Sequence, residues 1–170
     1  ALKQLLIGRS YNISRFQTNA FKNIILETVQ STKFDLVIFD SLYCAVFIDE
    51  IRKHTSAKLV VRTHNVEYKI WSELAKSSSN PLKKWYLSTL SRQLQREERR
   101  ILNSADGIMS ITSDDSESFK KMGIKVPIRT IAVPRETDQV KTDYSSSTFY
   151  FIGSMNWEPN IEALHYLLDD

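Results

Sequence analysis

Apolar residues follow two patterns that alternate along most of the chain. Continuous apolar runs, typical of strands buried on both faces, occupy four segments, residues 34–39, 58–62, 107–111 and 126–133. Helical spacing of apolar residues marks the segments between them, residues 14–30, 41–53, 66–76, 81–103 and 113–122. Strands that alternate with helices favour right-handed crossovers. The pattern therefore predicts an α/β fold with a Rossmann-like parallel sheet flanked by helices, while residues 1–7 fit either a strand or a helix.

The composition changes after Pro134. Residues 135–147 are polar, lack apolar periodicity and predict a linker. A new apolar run begins at residue 148, and helical spacing follows Pro159. We therefore expect an incomplete first domain at residues 1–134, and the first strand and helix of a second domain at residues 148–170. Because the chain begins without Met and ends within a helical pattern, we expect a piece of a longer protein.

Composition excludes several classes of protein and site. Apolar residues make up 42% of the chain and charged residues 25%, as in ordinary globular proteins, and the net charge is +3. The four glycines never form G-x-G-x-x-G or a P-loop, which argues against a dinucleotide enzyme or an NTPase. One cysteine and no H-x-x-x-H give no signal for a metal site. We expect a cytoplasmic protein. Its basic residues could still contact the inner face of a membrane.

His64 is the main candidate for chemistry. It follows the buried run at residues 58–62, and ligands of open parallel α/β sheets bind at the carboxyl ends of the strands. A histidine there can donate a hydrogen bond to a sugar hydroxyl or a phosphate; the structural alternative is a histidine satisfied by backbone groups. Asn65 is predicted to cap the next helix, whose N-terminus attracts anionic atoms. Arg62 fits either a phosphate contact or a solvated strand end.

Charged residues on the predicted helix at 81–103 favour structural roles. Glu97 and Glu98 fall on or beside its apolar stripe, and we expect a buried pair with an arginine rather than general acid/base chemistry. The arginines between residues 92 and 100 alternate with these acids, which is typical of a solvated face and argues against nucleic-acid binding. Ser154 follows a predicted strand, and its expected role from position alone is in a turn.

Three ordered stretches resemble one known family. They read VVRTHNVEYKIW, EERRILNSADGIMSITSDDSESFKKMGI and FYFIGSMNWEPNIEALHYLL. Together they resemble the family-4 retaining glycosyltransferases of the GT-B fold, over residues 34–170. The resemblance implies two Rossmann-like domains that face each other across a cleft. The N-terminal domain, most of which would be present here, binds the acceptor, and the C-terminal domain binds the sugar nucleotide.

The resemblance also implies an activity. The full-length enzyme would transfer a sugar from a nucleotide-sugar donor to a glycan or lipid-linked acceptor with retention, without a metal ion or other cofactor. His64 would contact the reacting centre, with Arg62 and Asn65 as substrate-binding neighbours. Gly153 would let the backbone approach the diphosphate, beside Ser154, where the family commonly has an arginine. We expect this fragment to be inactive alone, because most of the donor pocket lies outside it.

A non-catalytic α/β binding or interaction domain is the alternative function.

An incomplete first domain, cut away from its second domain, would expose a sheet edge and apolar surface. We therefore expect this chain to self-associate.

Overall fold

The computed structural model describes residues 8–133, 150–156 and 158–169. The chain divides into two compact units, Ala1–Pro134 and Arg135–Asp170. The predicted linker at residues 135–147 and the segment at residues 1–7 lie outside the described residues.

The first unit contains a four-stranded sheet and six helices among its described residues. Its strands are β1 (Leu36–Asp40), β2 (Lys58–Thr63), β3 (Gly107–Ser110) and β4 (Ile128–Thr130). Its helices are α1 (Tyr11–Ser14), α2 (Asn19–Ser31), α3 (Ile48–Ile51), α4 (Glu67–Ser77), α5 (Pro81–Asn103) and α6 (Ser113–Lys121). The strands pair in the order β1-β2-β3-β4, and every pair is parallel. This confirms the predicted α/β fold with a Rossmann-like parallel sheet flanked by helices.

Strand β2 lies inside the sheet, between β1 and β3. Leu59 and Val61 are fully buried, as the continuous apolar run predicts. Helix α5 packs along α4 and contributes Leu94 and Ile101 to the same core. The sheet and the α4–α5 pair therefore fix the position at which β2 ends.

Local sequence signals set the bounds of α5 and α6. The Asn80 side chain accepts hydrogen bonds from the backbone N–H groups of Leu82 and Lys83, and Pro81 occupies the first helical position, so α5 has the predicted bounds. Thr112 caps α6, which ends before Gly123 in a left-handed conformation with φ of 83°.

Two of the predicted helices differ from the structure. The helix predicted from residue 14 begins at Asn19, because the Thr18 hydroxyl accepts from the Phe21 N–H and caps it. The helix predicted over residues 41–53 is broken into a 3₁₀ turn at Leu42–Ala45 and the short α3.

Two predicted strands are also wrong in extent. Strand β4 covers only three of the residues predicted from 126 to 133. In the second unit, residues 150–152 do not form a strand, and residues 148–149 lie outside the described residues. The predicted helix is present there as α7 (Glu158–Asp169).

Candidate functional site at the carboxyl edge of the sheet

Three polar side chains meet where β1 and β2 end. The strand register pairs Asp40 with Arg62, and His64 follows the last residue of β2. His64 Nε2 lies 2.8 Å from Asp40 Oδ1, and Arg62 Nη1 donates to the same oxygen over 2.9 Å. The structure therefore brings two residues predicted as site residues, His64 and Arg62, onto one carboxylate. We call these three residues the edge cluster.

The edge cluster is open to solvent and keeps unused hydrogen-bonding capacity. The side chains of His64 and Asp40 are 43% and 61% exposed. Among the described residues, His64 Nδ1 and Asp40 Oδ2 have no hydrogen-bond partner. Hydrogen bonds from His64 first, and then from Arg62, hold the pKa of Asp40 below its ordinary value. An ionised Asp40 only accepts hydrogen bonds, so we place the Nε2 proton on His64.

The backbone beside the edge cluster is strained. Ser41 has φ of 153° and ψ of 154°, a combination that glycine usually occupies. Its hydroxyl accepts the N–H of Tyr43, which supports the turn that leaves β1. The strain lies directly after Asp40, and strained residues of this kind cluster at functional sites.

The prediction that Asn65 caps the helix after His64 is wrong. Helix α4 begins at Glu67, and Asn65 is exposed and makes no capping hydrogen bond. The cap comes instead from Glu98 on α5, whose Oε1 accepts from the Glu67 N–H over 3.0 Å and whose Oε2 accepts from the Tyr68 N–H over 3.2 Å. A carboxylate from a distant part of the sequence therefore fixes the backbone just after His64.

Glu98 has a structural role, but not the predicted one. It is fully buried, and its carboxylate contacts backbone N–H groups rather than an arginine. Burial raises the pKa of Glu98 to about 8, although the two N–H donors act in the opposite direction. Two fixed N–H donors thus replace the water that would otherwise solvate this side chain. Both donors belong to a helix N-terminus, where negative charge is favoured.

Next to Ser41, which follows Asp40 of the edge cluster, the rings of Tyr43 and Phe16 form an aromatic wall. The Tyr43 hydroxyl donates to Glu67 Oε2 over 2.9 Å, and burial raises the pKa of Glu67. The ring of Phe16 lies 4.8 Å from that of Tyr43, centroid to centroid, and the Arg15 guanidinium lies over Phe16. A cavity of about 420 Å³ runs along this wall, lined by Arg15, Phe16, Thr18, Phe21, Ser41, Tyr43 and Cys44.

The sequence alone does not predict that Asp40, Tyr43 and Glu67 belong to this region. Asp40 ends an apolar run just as Arg62 and His64 do, so the common edge of β1 and β2 was the available signal. Tyr43 and Glu67 are joined only by tertiary contact, across 24 positions of sequence, and no local pattern predicts that.

Gly153 and Ser154 belong to the second unit. A Cβ atom on Gly153 would lie 2.9 Å from Asn160 Nδ2, so a larger residue at this position would displace the Asn160 side chain. Asn160 donates to the carbonyl of Ser154, and the Ser154 hydroxyl accepts from the Asn156 N–H. These contacts describe a local turn, and a role in binding a diphosphate stays a prediction.

Comparisons of the chain with family models, with curated proteins and with solved structures found no match. Within residues 8–133, 150–156 and 158–169, no helix has the length and apolarity of a membrane span. The same residues contain no group of three or more His, Cys, Asp or Glu side chains placed to hold a metal ion.

Proposed function

We propose that this chain is the acceptor-side part of a retaining glycosyltransferase that acts at the cytoplasmic face of a membrane. The enzyme transfers a sugar from a nucleotide-sugar donor to a glycan or lipid-linked acceptor. The observation that carries the proposal is the exposed edge cluster, in which a histidine directly follows an inner parallel strand and its Nδ1 has no hydrogen-bond partner among the described residues. The resemblance of three ordered sequence stretches to family-4 enzymes supplies the reaction class.

His64 contacts the reacting centre in this proposal. Asp40 accepts a hydrogen bond from the Nε2–H of His64 and fixes the ring, which leaves Nδ1 to accept a hydrogen bond from a hydroxyl of the substrate. During transfer, the bond from the anomeric carbon to the nucleotide diphosphate breaks. The acceptor oxygen forms its bond on the same face, and its proton passes to the departing phosphate. Positioned donors that stabilise the developing charge lower the barrier to such a step.

Arg62 and the α4 N-terminus support this role by charge and position. The Arg62 guanidinium shares Asp40 with His64 and is only partly exposed. In this proposal it pairs with the anionic leaving group. Glu98 fixes the backbone of residues 67 and 68, which limits movement of His64 relative to β2.

The test is nucleoside diphosphate release by the full-length gene product with a panel of uridine and guanosine diphosphate hexoses. We expect His64→Ala to lower kcat by about 10² to 10⁴, the usual contribution of a positioned proton donor or acceptor. Asp40→Asn should lower kcat less, because the ring stays present but loses its carboxylate partner. His54→Ala is the matched control, since His54 is exposed and contacts Gln30 on α2.

Unchanged turnover in a folded His64→Ala protein would contradict the proposed role of His64. Nucleotide-sugar binding without any transfer by the full-length protein would instead favour the non-catalytic binding domain. In either case circular dichroism of each variant separates loss of folding from loss of function.

A further inference from the structure

The turn that joins α4 to α5 exposes two large apolar side chains. No residue between 76 and 85 is buried, and the first buried residue of α5 is Leu87. Leu82 is 78% exposed and Trp85 is 60% exposed. The two lie three positions apart at the start of α5, so their side chains are neighbours on one face of the helix. We call residues 76–85 the α4–α5 tip.

Local capping, rather than packing, holds the α4–α5 tip in place. The side chain of Asn80 accepts from two backbone N–H groups, and Pro81 occupies the first helical position. Neither Leu82 nor Trp85 belongs to the hydrophobic core of the first unit. The fold therefore makes no use of their apolar surface, which is left free for another molecule.

The α4–α5 tip is also basic. Its ten residues include three lysines and no acidic residue. Lys76 pairs with Glu73 over 2.7 Å, whereas Lys83 and Lys84 form no ion pair with any residue that the structure describes. When Glu73 is counted against the three lysines, two positive charges remain beside the exposed apolar pair.

The face of α5 that carries the apolar pair stays cationic beyond the tip. Arg92 and Arg96 lie on that face at helical spacing, and both are exposed. The two acids of α5 do not balance them, because Glu97 pairs with Arg100 and Glu98 is buried at the start of α4. From the apolar pair to Arg96, this face is about 21 Å long.

We infer that the α4–α5 tip binds the surface of a membrane that contains anionic lipids. Leu82 and Trp85 enter the boundary between the headgroups and the acyl chains. Lys83, Lys84 and Arg92 contact the lipid phosphates around them. An indole ring suits this boundary, because its body is apolar and its N–H can donate to a headgroup.

A membrane fits the α4–α5 tip better than a protein partner does. Each side of a stable protein interface buries roughly 800 Å² with about twenty residues, far more than two side chains on one helical turn supply. A lipid surface requires only a few inserted side chains together with positive charge. The inference rests on the proposed function in that both place the protein at a membrane, but no residue of the edge cluster takes part.

The test is co-sedimentation of the full-length gene product with lipid vesicles at constant ionic strength. One kind of vesicle contains phosphatidylcholine alone, and the other contains equal parts of phosphatidylcholine and phosphatidylglycerol. We expect clear binding to the mixed vesicles and much weaker binding to the neutral ones. Lipids with brominated acyl chains should quench tryptophan emission in the wild type, and this quenching should be lost in Trp85→Phe.

Variants of the tip separate insertion from charge. Trp85→Ala should weaken binding to mixed vesicles about tenfold or more, since it removes the larger inserted side chain. Lys83→Gln combined with Lys84→Gln should also weaken it about tenfold or more, because each cation near an anionic surface contributes to binding. All these side chains are exposed, and circular dichroism of each variant checks that the fold is kept.

Matched controls come from other helices of the first unit. Ile24 is 63% exposed on α2, and Ile24→Ala should change binding less than about twofold. Lys120 and Lys121 are adjacent and exposed on α6, so their double change to Gln alters net charge equally and should also have an effect of less than about twofold.

Each contrary result overturns the inference. Binding to neither kind of vesicle would exclude a membrane surface, and equal losses in the two lysine pairs would indicate diffuse attraction. Unchanged binding in Trp85→Ala would exclude insertion. Self-association without vesicles that Trp85→Ala abolishes would assign the tip to a protein contact. Vesicle binding with the expected pattern, in a protein that transfers no sugar, would instead contradict the proposed function alone.

Discussion

Asp40, Arg62 and His64 lie at or next to the ends of strands β1 and β2, whereas β3 and β4 end in the hydroxyl residues Ser110 and Thr130. At the second end, Ser110 Oγ lies 2.6 Å from Ser116 Oγ, and Ser116 Oγ lies 2.8 Å from Thr130 Oγ1. At the first end, one carboxylate oxygen accepts from both Arg62 and His64, and solvent reaches the side chains. One sheet edge therefore has a closed end and an open end.

The difference follows from hydrogen-bond chemistry. A hydroxyl both donates and accepts, so the three neighbouring hydroxyls can bond to one another, and two of them, those of Ser110 and Ser116, belong to buried residues. A carboxylate only accepts and a guanidinium only donates, so such groups keep capacity for water or a ligand. The closed end therefore stabilises the fold, while the open end retains donors and acceptors that a substrate can use.

Glu98→Leu should cause the largest loss of stability, because this one side chain from α5 holds the backbone that follows the open end. The substitution leaves the partly buried N–H groups of Glu67 and Tyr68 without their acceptors and replaces a fully buried carboxyl group. We expect the free energy of unfolding to fall by about 3 kcal/mol, as for other buried polar groups that lose a partner. Urea denaturation followed by circular dichroism measures this.

Glu73→Leu is the control for that experiment. Glu73 lies on the solvent face of α4 and contacts only Lys76 among the described residues, so its loss should cost less than about 0.5 kcal/mol. A similar loss in both variants would remove the special role given to Glu98.

The Glu98 cap shows what the sequence could and could not predict. Helix α5 was predictable at both ends, since Asn80, Pro81 and its apolar spacing are local signals. The start of α4 was not, because Glu98 caps it from 31 positions away and displaces the local candidate Asn65. Local patterns predict helices and strands and where they end. Contacts between these elements decide which polar side chain forms each hydrogen bond.

The candidate site likewise has one part that the sequence predicts and one part that it does not. Strand patterns place Arg62 and His64 at the carboxyl edge, and the parallel sheet confirms that placement. The contact with Asp40 required the β1–β2 register, and the contact of Tyr43 with Glu67 required the turn after Ser41. The general location was therefore predictable, and the hydrogen-bonding network was not.

The stability of the protein should fall as pH rises from about 5 to 8. Burial raises the pKa of Glu98 from 4.5 to about 8 in the folded state, so in this window the folded chain binds one more proton than the unfolded chain. Stability then decreases by at most about 1.4 kcal/mol per pH unit and levels off above pH 8. Urea denaturation at several pH values measures the slope.

Glu98→Gln tests the origin of that slope, because it removes the titrating group and keeps the shape. The slope should become shallower but not vanish, since burial raises the pKa of Glu67 as well. Below about pH 4 the trend should reverse in both proteins, because Asp106 has a lowered pKa and loses its contacts with Leu59 and Arg52 on protonation. An unchanged slope between pH 5 and 8 in Glu98→Gln would contradict the assignment.

Ser116→Ala tests the closed end and should have a smaller effect. It removes the central hydroxyl of the network but leaves Ser110 Oγ a contact with the Thr112 carbonyl. We expect a loss of about 1 kcal/mol in unfolding free energy, the usual net value of one hydrogen bond. A loss as large as that of Glu98→Leu would show that the closed end carries as much of the stability as the capped helix.

The smallest expected effect is a change in the titration of Asp40, which reports on the open end alone. Its pKa is lowered most by the hydrogen bond from His64 and less by that from Arg62. His64→Ala and Arg62→Gln should therefore each move the pKa of Asp40 up, toward its ordinary value, and Ser116→Ala should leave it in place. Carboxyl carbon NMR across acidic pH measures all three. Equal shifts in His64→Ala and Ser116→Ala would mean that the two ends are coupled, and the contrast between an open and a closed end would fail.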